Sequence, residues 1–253
     1  MKKLFLLVLF PLCCLAQKSI QKSDVEIYTQ LTFLKVDPSA KIGFEKNMGH
    51  LASLAKKAKL NERFDWLTYI SDTQEYLIVN FSDGIPDVLS LKGYRDEFYK
   101  QGLGVAFDQA LDSLNSLGIG VGFNYVKEMI LPWSTVTEIS VAQFPLSKMM
   151  VYEISMNKLD AFDVQIRKLA GLLKETAYPY PLESSRGSVG AYGKVILVWF
   201  YDDLEVFEGV QNLTLWMQKR DKLQELTEIQ TKIKSIISSE EVYRLTYNKE
   251  LSN

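Results

Sequence analysis

Cysteine and histidine are nearly absent from this chain. Its 2 cysteines are Cys13 and Cys14, close to the amino terminus, and its 1 histidine is His50. These are too few to supply the several thiolate or imidazole ligands of a zinc or iron–sulfur site. We therefore predict no metal, no cofactor, and no disulfide in the rest of the chain.

Long apolar runs and an excess of basic residues are also missing. Beyond residue 16 no segment approaches the ~18 consecutive apolar residues of a membrane span. Lysine and arginine number 29 against 31 aspartates and glutamates, and no basic stripe stands out. This argues against a nucleic-acid partner. A composition of 47% hydrophobic and 24% charged residues is typical of a globular protein.

The amino terminus has the pattern of a secretory signal peptide. Two lysines precede an apolar stretch at 4–12 that is too short to span a bilayer, and small residues come before Gln17. We predict a signal peptide at 1–16 and a periplasmic or secreted protein. Lipoprotein anchoring at Cys13 or Cys14 is the less favoured alternative, because residues 10–12 before the cysteines are Phe-Pro-Leu and lack the pair of small residues typical of such a site.

The sequence contains an internal repeat. Residues 36–58 align on residues 154–176 without a gap, at a shift of 118, and the strand-like runs 75–81 and 194–200 align at a shift of 119. The matched apolar positions of the helix are Phe44, Met48, Leu51, Ala55 and Ala58 against Phe162, Ile166, Leu169, Leu173 and Thr176. Such a repeat constrains the whole fold.

The order of predicted elements is β-α-β-β-α-β in each half, which is the split βαβ unit. The first half is predicted to contain strands at 25–36, 64–70, 75–81 and 133–141 and helices at 38–58 and 103–117. The second half is predicted to contain strands at 149–154, 182–189, 194–201 and 242–247 and helices at 157–176 and 213–236. We assign repeats to 17–142 and 143–253, with the connection at 143–148.

The third strand of each half is apolar on both faces, so something must cover both faces. We predict that Leu77, Val79 and Phe81 pack on the helices, like Ile196, Val198 and Phe200. The opposite faces, Tyr76, Ile78 and Asn80 together with Val195, Leu197 and Trp199, would then meet each other. The fold class is therefore α+β, with two ferredoxin-like repeats packed sheet to sheet.

This element order and the matched segments resemble a fused, single-chain member of the dimeric α+β barrel superfamily. The resemblance implies a pseudo-dimeric barrel and a ligand cavity by the sheet. Relatives include cofactor-independent monooxygenases, EthD-like and NIPSNAP-like proteins, and the haem-binding chlorite dismutase and dye-decolorizing peroxidase groups. The haem groups use an axial histidine in the carboxyl-terminal half, and this chain has no histidine there.

Six residues are candidates for ligand binding on the inward face. They are Lys35, Glu153, Trp66, Tyr76, Asn80 and Trp199. If Leu34 and Val36 pack on the helices, Lys35 and its repeat partner point away from them, and buried charges need partners. The alternative, which we favour, places both charges in solvent at strand ends and makes the aromatic residues simple core.

Four further features have ordinary structural explanations. His50 aligns with Lys168 and is predicted to lie at the surface. The acidic run from Asp202 to Glu208 could bind a hard cation, but a solvated helix start explains it better. The glycine-rich segment 117–123 is predicted to be a flexible connection, a β-bulge or a local lid. Residues 178–181 form a rigid loop or, less favoured, the mouth of an aromatic-lined pocket.

The predicted function is that of an exported bacterial protein that binds a small apolar or aromatic ligand, or a protein partner, without catalysis. The chain offers no nucleophile–base set, since a histidine-based triad would require His50. The alternative is a metal-free, oxygenase-like or isomerase-like enzyme with its site in the barrel cavity. A haem enzyme is the third hypothesis.

Overall fold

A computed structural model describes residues 28–60, 66–82, 91–135, 140–209 and 212–253. The strands are β1 (Tyr28–Lys35), β2 (Trp66–Ser71), β3 (Tyr76–Ser82), β4 (Gly120–Met129), β5 (Leu146–Ile154), β6 (Leu182–Gly187), β7 (Lys194–Tyr201) and β8 (Ile237–Tyr247). The helices are α1 (Lys41–Ala58), α2 (Leu91–Lys100), α3 (Gly104–Asn115), α4 (Leu159–Glu175), α5 (Leu204–Glu208), α6 (Asn212–Gln218) and α7 (Leu223–Ile236).

The strands form one closed antiparallel barrel in the order β1-β3-β2-β8-β5-β7-β6-β4. Each half supplies four consecutive strands of this circle, and both halves arrange them in the same internal order. The halves join at two seams, β2 with β8 and β4 with β6. The predicted α+β class and the pairing of two ferredoxin-like repeats into a barrel are confirmed. The repeat bounds 17–142 and 143–253 stay a prediction.

The core has an inner and an outer layer. The inner layer fills the barrel with apolar side chains from both halves, among them Leu31, Leu77, Met149 and Ile196. Outside the barrel, one cluster lies between the first sheet and α1 to α3, and the other lies between the second sheet and α4, α6 and α7. Helices therefore cover the outside of each sheet, and the inside of each sheet faces the other half.

The predicted assignment of strand faces was wrong. Leu77 and Val79 point into the barrel, with Ile196, Val198 and Phe200. Tyr76 instead packs on α1, where its ring lies 4.4 Å from that of Phe44. Both faces of β3 and β7 are apolar, so alternation along the strand could not distinguish the inside from the outside.

The fourth strand of the first half was also placed wrongly. It is Gly120–Met129, which begins within the glycine-rich segment rather than at Trp133. Leu131–Trp133 is a short 3-10 turn, and residues 136–139 lie outside the described residues. Glycine at 122 helps β4 to pair closely with β1. A Cβ atom at this position would lie only 3.3 Å from the side chains of Phe33 and Lys35. Segment 117–123 is therefore not a lid.

Three smaller differences concern element boundaries. The helix α2 was not predicted. The predicted connection 143–148 overlaps β5, which already begins at Leu146. The predicted helix 213–236 is two helices, α6 and α7, because Asp221 adopts a left-handed φ of 56° between them. Among the residues described, no helix has the length and apolar character that crossing a bilayer requires.

Candidate functional site

The strand register places one lysine and one glutamate inside the barrel at the β4–β6 seam. On β4, Lys127 pairs with Thr29, whose strand directs Leu31 and Phe33 into the inner core. Phe123 and Tyr125, on the same face of β4, also pack against this core. On β6, Glu183 lies opposite Val198, another inner-core residue. Both charged residues therefore share the inner face with apolar neighbours.

Lys127 and Glu183 form an ion pair, which we call the interior charge pair. The Lys127 ammonium donates a hydrogen bond to Oε1 of Glu183. The same oxygen accepts a second hydrogen bond from the Ser185 hydroxyl at 3.1 Å. The side chain of Lys127 is 5% exposed and that of Glu183 is 19% exposed. The lysine is thus enclosed, whereas the carboxylate keeps some contact with solvent.

A buried phenol belongs to the same environment. Tyr69 lies on β2 in the inner core and is 5% exposed. Its ring lies 5.8 Å from that of Tyr247 across the β2–β8 seam. Burial raises the pKa of Tyr69, and the negative charge of Glu183 and the neighbouring Tyr247 raise it further. Tyr69 therefore stays a neutral hydrogen-bond donor at physiological pH.

These groups can perform acid–base chemistry without a metal. A carboxylate that is held between an ammonium and a hydroxyl can accept a proton from a bound molecule. The ammonium and the phenol are donors that can stabilise negative charge developing on a substrate oxygen, most effectively where water is excluded. Among the described residues, no group of 3 or more histidines, cysteines, aspartates or glutamates is arranged to hold a metal ion.

No protein-family model matches this chain. No curated protein matches it either. Solved structures do match. A candidate monooxygenase from Lactobacillus acidophilus is 10% identical, with a TM-score of 0.54 over 88% of this chain and 94% of that one. An anthrone oxidase-like protein is 12% identical, with a TM-score of 0.53 over 91% and 94%.

A candidate monooxygenase from Fusobacterium nucleatum is 11% identical, with a TM-score of 0.56 over 90% of this chain and 94% of that one. At these identities the likeness concerns the fold, and it spans nearly the whole of both chains. The fold is the dimeric α+β barrel. In this chain both halves of the dimeric α+β barrel come from a single polypeptide.

Three predicted ligand residues lie on the helix side of the first half of the dimeric α+β barrel. Trp66 is 6% exposed, and its indole N–H donates to the carbonyl of Leu251 at 2.9 Å. Tyr76 is fully buried and donates to Glu45 at 2.7 Å. Asn80, opposite Trp66 in the β2–β3 ladder, accepts a hydrogen bond from Tyr94 at 3.4 Å. Their role in binding stays a prediction, but they do not face the barrel interior.

The other three predicted residues lie apart from these. Trp199 is 7% exposed in the outer core of the second half, 5.9 Å from the ring of Tyr178. The side chain of Lys35 is 65% exposed and lies 3.9 Å from Glu75. The exposed Glu153 accepts a hydrogen bond from Ser239. Lys35 and Glu153 thus have separate partners at strand ends, as the favoured alternative predicted. The structure does not gather the six residues into one site.

The interior charge pair was not predicted, because the fourth strand was expected at 133–141 and lies at Gly120–Met129. Once β4 is recognised, the alternation Phe123, Tyr125, Lys127 shows a charge in an aromatic row, which is the signal that could have identified it. Glu183 gave no such signal, since its strand Leu182–Gly187 is mostly polar. His50 lies at the surface, as predicted.

Proposed function

We propose that this chain is a metal-free enzyme, oxygenase-like or isomerase-like, whose site is the interior charge pair together with Tyr69. One observation carries the proposal: an ion pair and a neutral phenol share the apolar interior of the barrel. A buried ion pair is often no more stabilising than well-packed apolar residues, so its presence suggests a role other than stability.

The chemistry that suits these groups is removal of a proton from a C–H group made acidic by a conjugated aromatic carbonyl. Glu183 would accept the proton, while Lys127 and Tyr69 would stabilise the resulting enolate or phenolate oxygen. In an isomerisation, the proton returns to a different carbon. In an oxygenation, molecular oxygen is the oxidant, and a CH₂ group plus O₂ becomes a C=O group plus water.

The structural neighbours support this proposal at the level of the fold. Two are candidate monooxygenases and one is described as anthrone oxidase-like. They favour the enzymatic alternative over the predicted non-enzymatic binding role, which stays a prediction. Because a shared fold does not establish a shared activity, the proposal depends on the residues of this chain.

Exchange of substrate protons tests the proposed chemistry directly. Anthrone and related aromatic ketones serve as probes, with methylene exchange followed by NMR in anaerobic D₂O and oxygen uptake followed in air. We expect Glu183→Gln to slow exchange by about a hundredfold, the usual scale for losing a general base. Lys127→Met should slow it as well.

Glu128→Gln is the matched control. Glu128 forms an ion pair with Arg186 between the same two strands, with the Arg186 side chain 53% exposed. This variant should exchange like the wild type. Wild-type protein that exchanges no probe faster than buffer, or a Glu183→Gln variant with full activity, contradicts the proposal.

We also propose that the chain is exported, on the basis of the amino-terminal pattern at 1–16, which lies outside the described residues. Amino-terminal sequencing of protein recovered from the native host tests this proposal. A mature protein that begins at Gln17 supports export. Lipid attached to Cys13 or Cys14 would favour the anchored alternative, and an intact amino terminus in the cytoplasm contradicts export.

A further inference from the structure

Four aromatic rings gather at one end of the second sheet, on the helix side of the barrel. Tyr178 and Tyr180 come from the loop before β6, Tyr201 ends β7, and Phe207 lies on α5. Ring centroids are 5.5 Å apart for Tyr178 and Tyr180, 5.2 Å for Tyr180 and Tyr201, and 5.7 Å for Tyr201 and Phe207. We call this group the aromatic site. All four side chains are half-buried, so their rings remain partly accessible.

Within the part of the chain that the structure describes, the hydroxyls of the three tyrosines in the aromatic site neither donate nor accept a hydrogen bond. Burial, followed by the neighbouring Tyr180, raises the pKa of Tyr201 to about 12. The rings therefore stay neutral, which preserves the negative electrostatic potential over their faces.

Carboxylates border the aromatic site. Asp202 and Asp203 directly follow Tyr201 and are exposed. They follow a residue whose ring lies 5.2 Å from that of Tyr180. Burial raises the pKa of Tyr180, and the charges of Asp202 and Asp203 raise it further. Asp203 also caps α5 by accepting a hydrogen bond from the backbone of Val206. The rim of the site is thus negative, and its interior is aromatic.

The same ring network already holds one cation. The guanidinium of Arg220 lies 3.5 Å from the ring centre of Trp216. The ring centre of Trp216 in turn lies 5.9 Å from that of Tyr178, which belongs to the aromatic site. Cations are attracted to aromatic faces, and a negative rim adds to this attraction.

We infer that the aromatic site binds a small organic cation of the substituted-ammonium class. The accessible parts of these four packed rings would contact the charged group from one side, and Asp202 would supply the opposite charge. The site is separate from the interior charge pair, because Phe200 points into the barrel whereas Tyr201 packs against the outer core. The inference therefore does not depend on the proposed enzymatic activity.

Comparison of choline with its neutral isostere 3,3-dimethylbutan-1-ol tests the inference on the full chain. Isothermal titration calorimetry and NMR should show saturable binding of choline at millimolar concentrations and much weaker binding of the alcohol. Tyr201→Leu and Tyr180→Leu should each weaken choline binding by about tenfold, whereas Tyr201→Phe should retain it. Asp202→Asn should weaken it severalfold and reduce its dependence on salt.

Tyr192→Leu is the matched control, since Tyr192 is 77% exposed in the β6–β7 turn, at the opposite end of β7. It should bind choline like the wild type. Equal binding of choline and the neutral alcohol, no binding of either, or full binding by a folded Tyr180→Leu variant would each overturn the inference. Sedimentation with phosphatidylcholine vesicles without binding of free choline would also overturn it, because the ligand would then be a membrane surface.

Discussion

Lys127 and Glu183 carry opposite charges into a barrel whose inner side chains are mainly apolar. Taking both charges out of water is unfavourable, and their mutual attraction, with the hydrogen bond from Ser185, offsets that cost. Removal of one partner leaves the other charge without compensation. Removal of both leaves a space that apolar side chains can fill.

We predict a strongly non-additive double-mutant cycle for this pair. Lys127→Met should lower the free energy of unfolding by about 3 kcal/mol, whereas Lys127→Met combined with Glu183→Leu should recover most of that loss. Urea unfolding followed by circular dichroism measures both changes. Arg186→Met breaks the more exposed pair on the outer face of the same strands and should change stability by less than about 1 kcal/mol. Additive losses at Lys127 and Glu183 would contradict this account.

At the scale of elements, two glycines differ in whether their position has room for a Cβ atom. Gly187 ends β6, where a Cβ would lie 2.0 Å from the carbonyl oxygen of Ala191 in the following turn. Only glycine permits this approach of two backbone segments. Gly171 lies inside α4, and a Cβ there would meet no atom within 4 Å.

Alanine substitutions should therefore shift stability in opposite directions. Gly187→Ala should destabilise the protein by about 2 kcal/mol, because the β6–β7 turn must move. Gly171→Ala should stabilise it by about 0.5–1 kcal/mol, because alanine restricts the unfolded chain and favours a helix. Thermal unfolding of the two variants beside the wild type measures both shifts. A neutral Gly187→Ala variant would show that the turn adapts without cost.

At the scale of the whole molecule, the two halves meet through short seams and a shared core. The β2–β8 and β4–β6 seams are each paired at only 3 positions, whereas β1–β4 and β5–β8 are paired at 8 and 9. Side chains from both sheets interdigitate inside, so apolar burial rather than strand pairing holds the halves together. Buried tyrosines are spread through all three clusters of this core.

The protein should therefore unfold cooperatively in alkali. Burial raises the pKa of Tyr69, Tyr76 and Tyr152, which are at most 8% exposed. Above pH about 10 these phenols ionise in the unfolded chain but not in the folded chain, so each lowers the free energy of unfolding by about 1.4 kcal/mol per pH unit. As the pH is raised, tyrosinate absorbance should increase and the near-ultraviolet circular dichroism should decrease over the same pH range.

Tyr152→Phe isolates one contribution to this alkaline loss. Its hydroxyl donates a hydrogen bond to the sulfur of Met150 at 3.4 Å and also interacts with Glu240. Phenylalanine keeps the buried ring, so the substitution leaves the packing intact. The variant should lose stability less steeply above pH about 10. Ionisation of the buried tyrosines while the circular dichroism remains native would contradict the argument.

The sequence alone determined the repeat, the β-α-β-β-α-β order apart from the additional helix α2 and the division of 213–236, and the α+β class. These properties are local or periodic: Phe44 to Ala58 line one face of a helix whatever that helix packs against, and the same pattern returns at Phe162 to Thr176. Tertiary structure decided which face of β3 and β7 lies inside the barrel, because both faces are apolar. It also decided the candidate site, since Lys127 and Glu183 are 56 residues apart and meet only when β4 closes the barrel against β6.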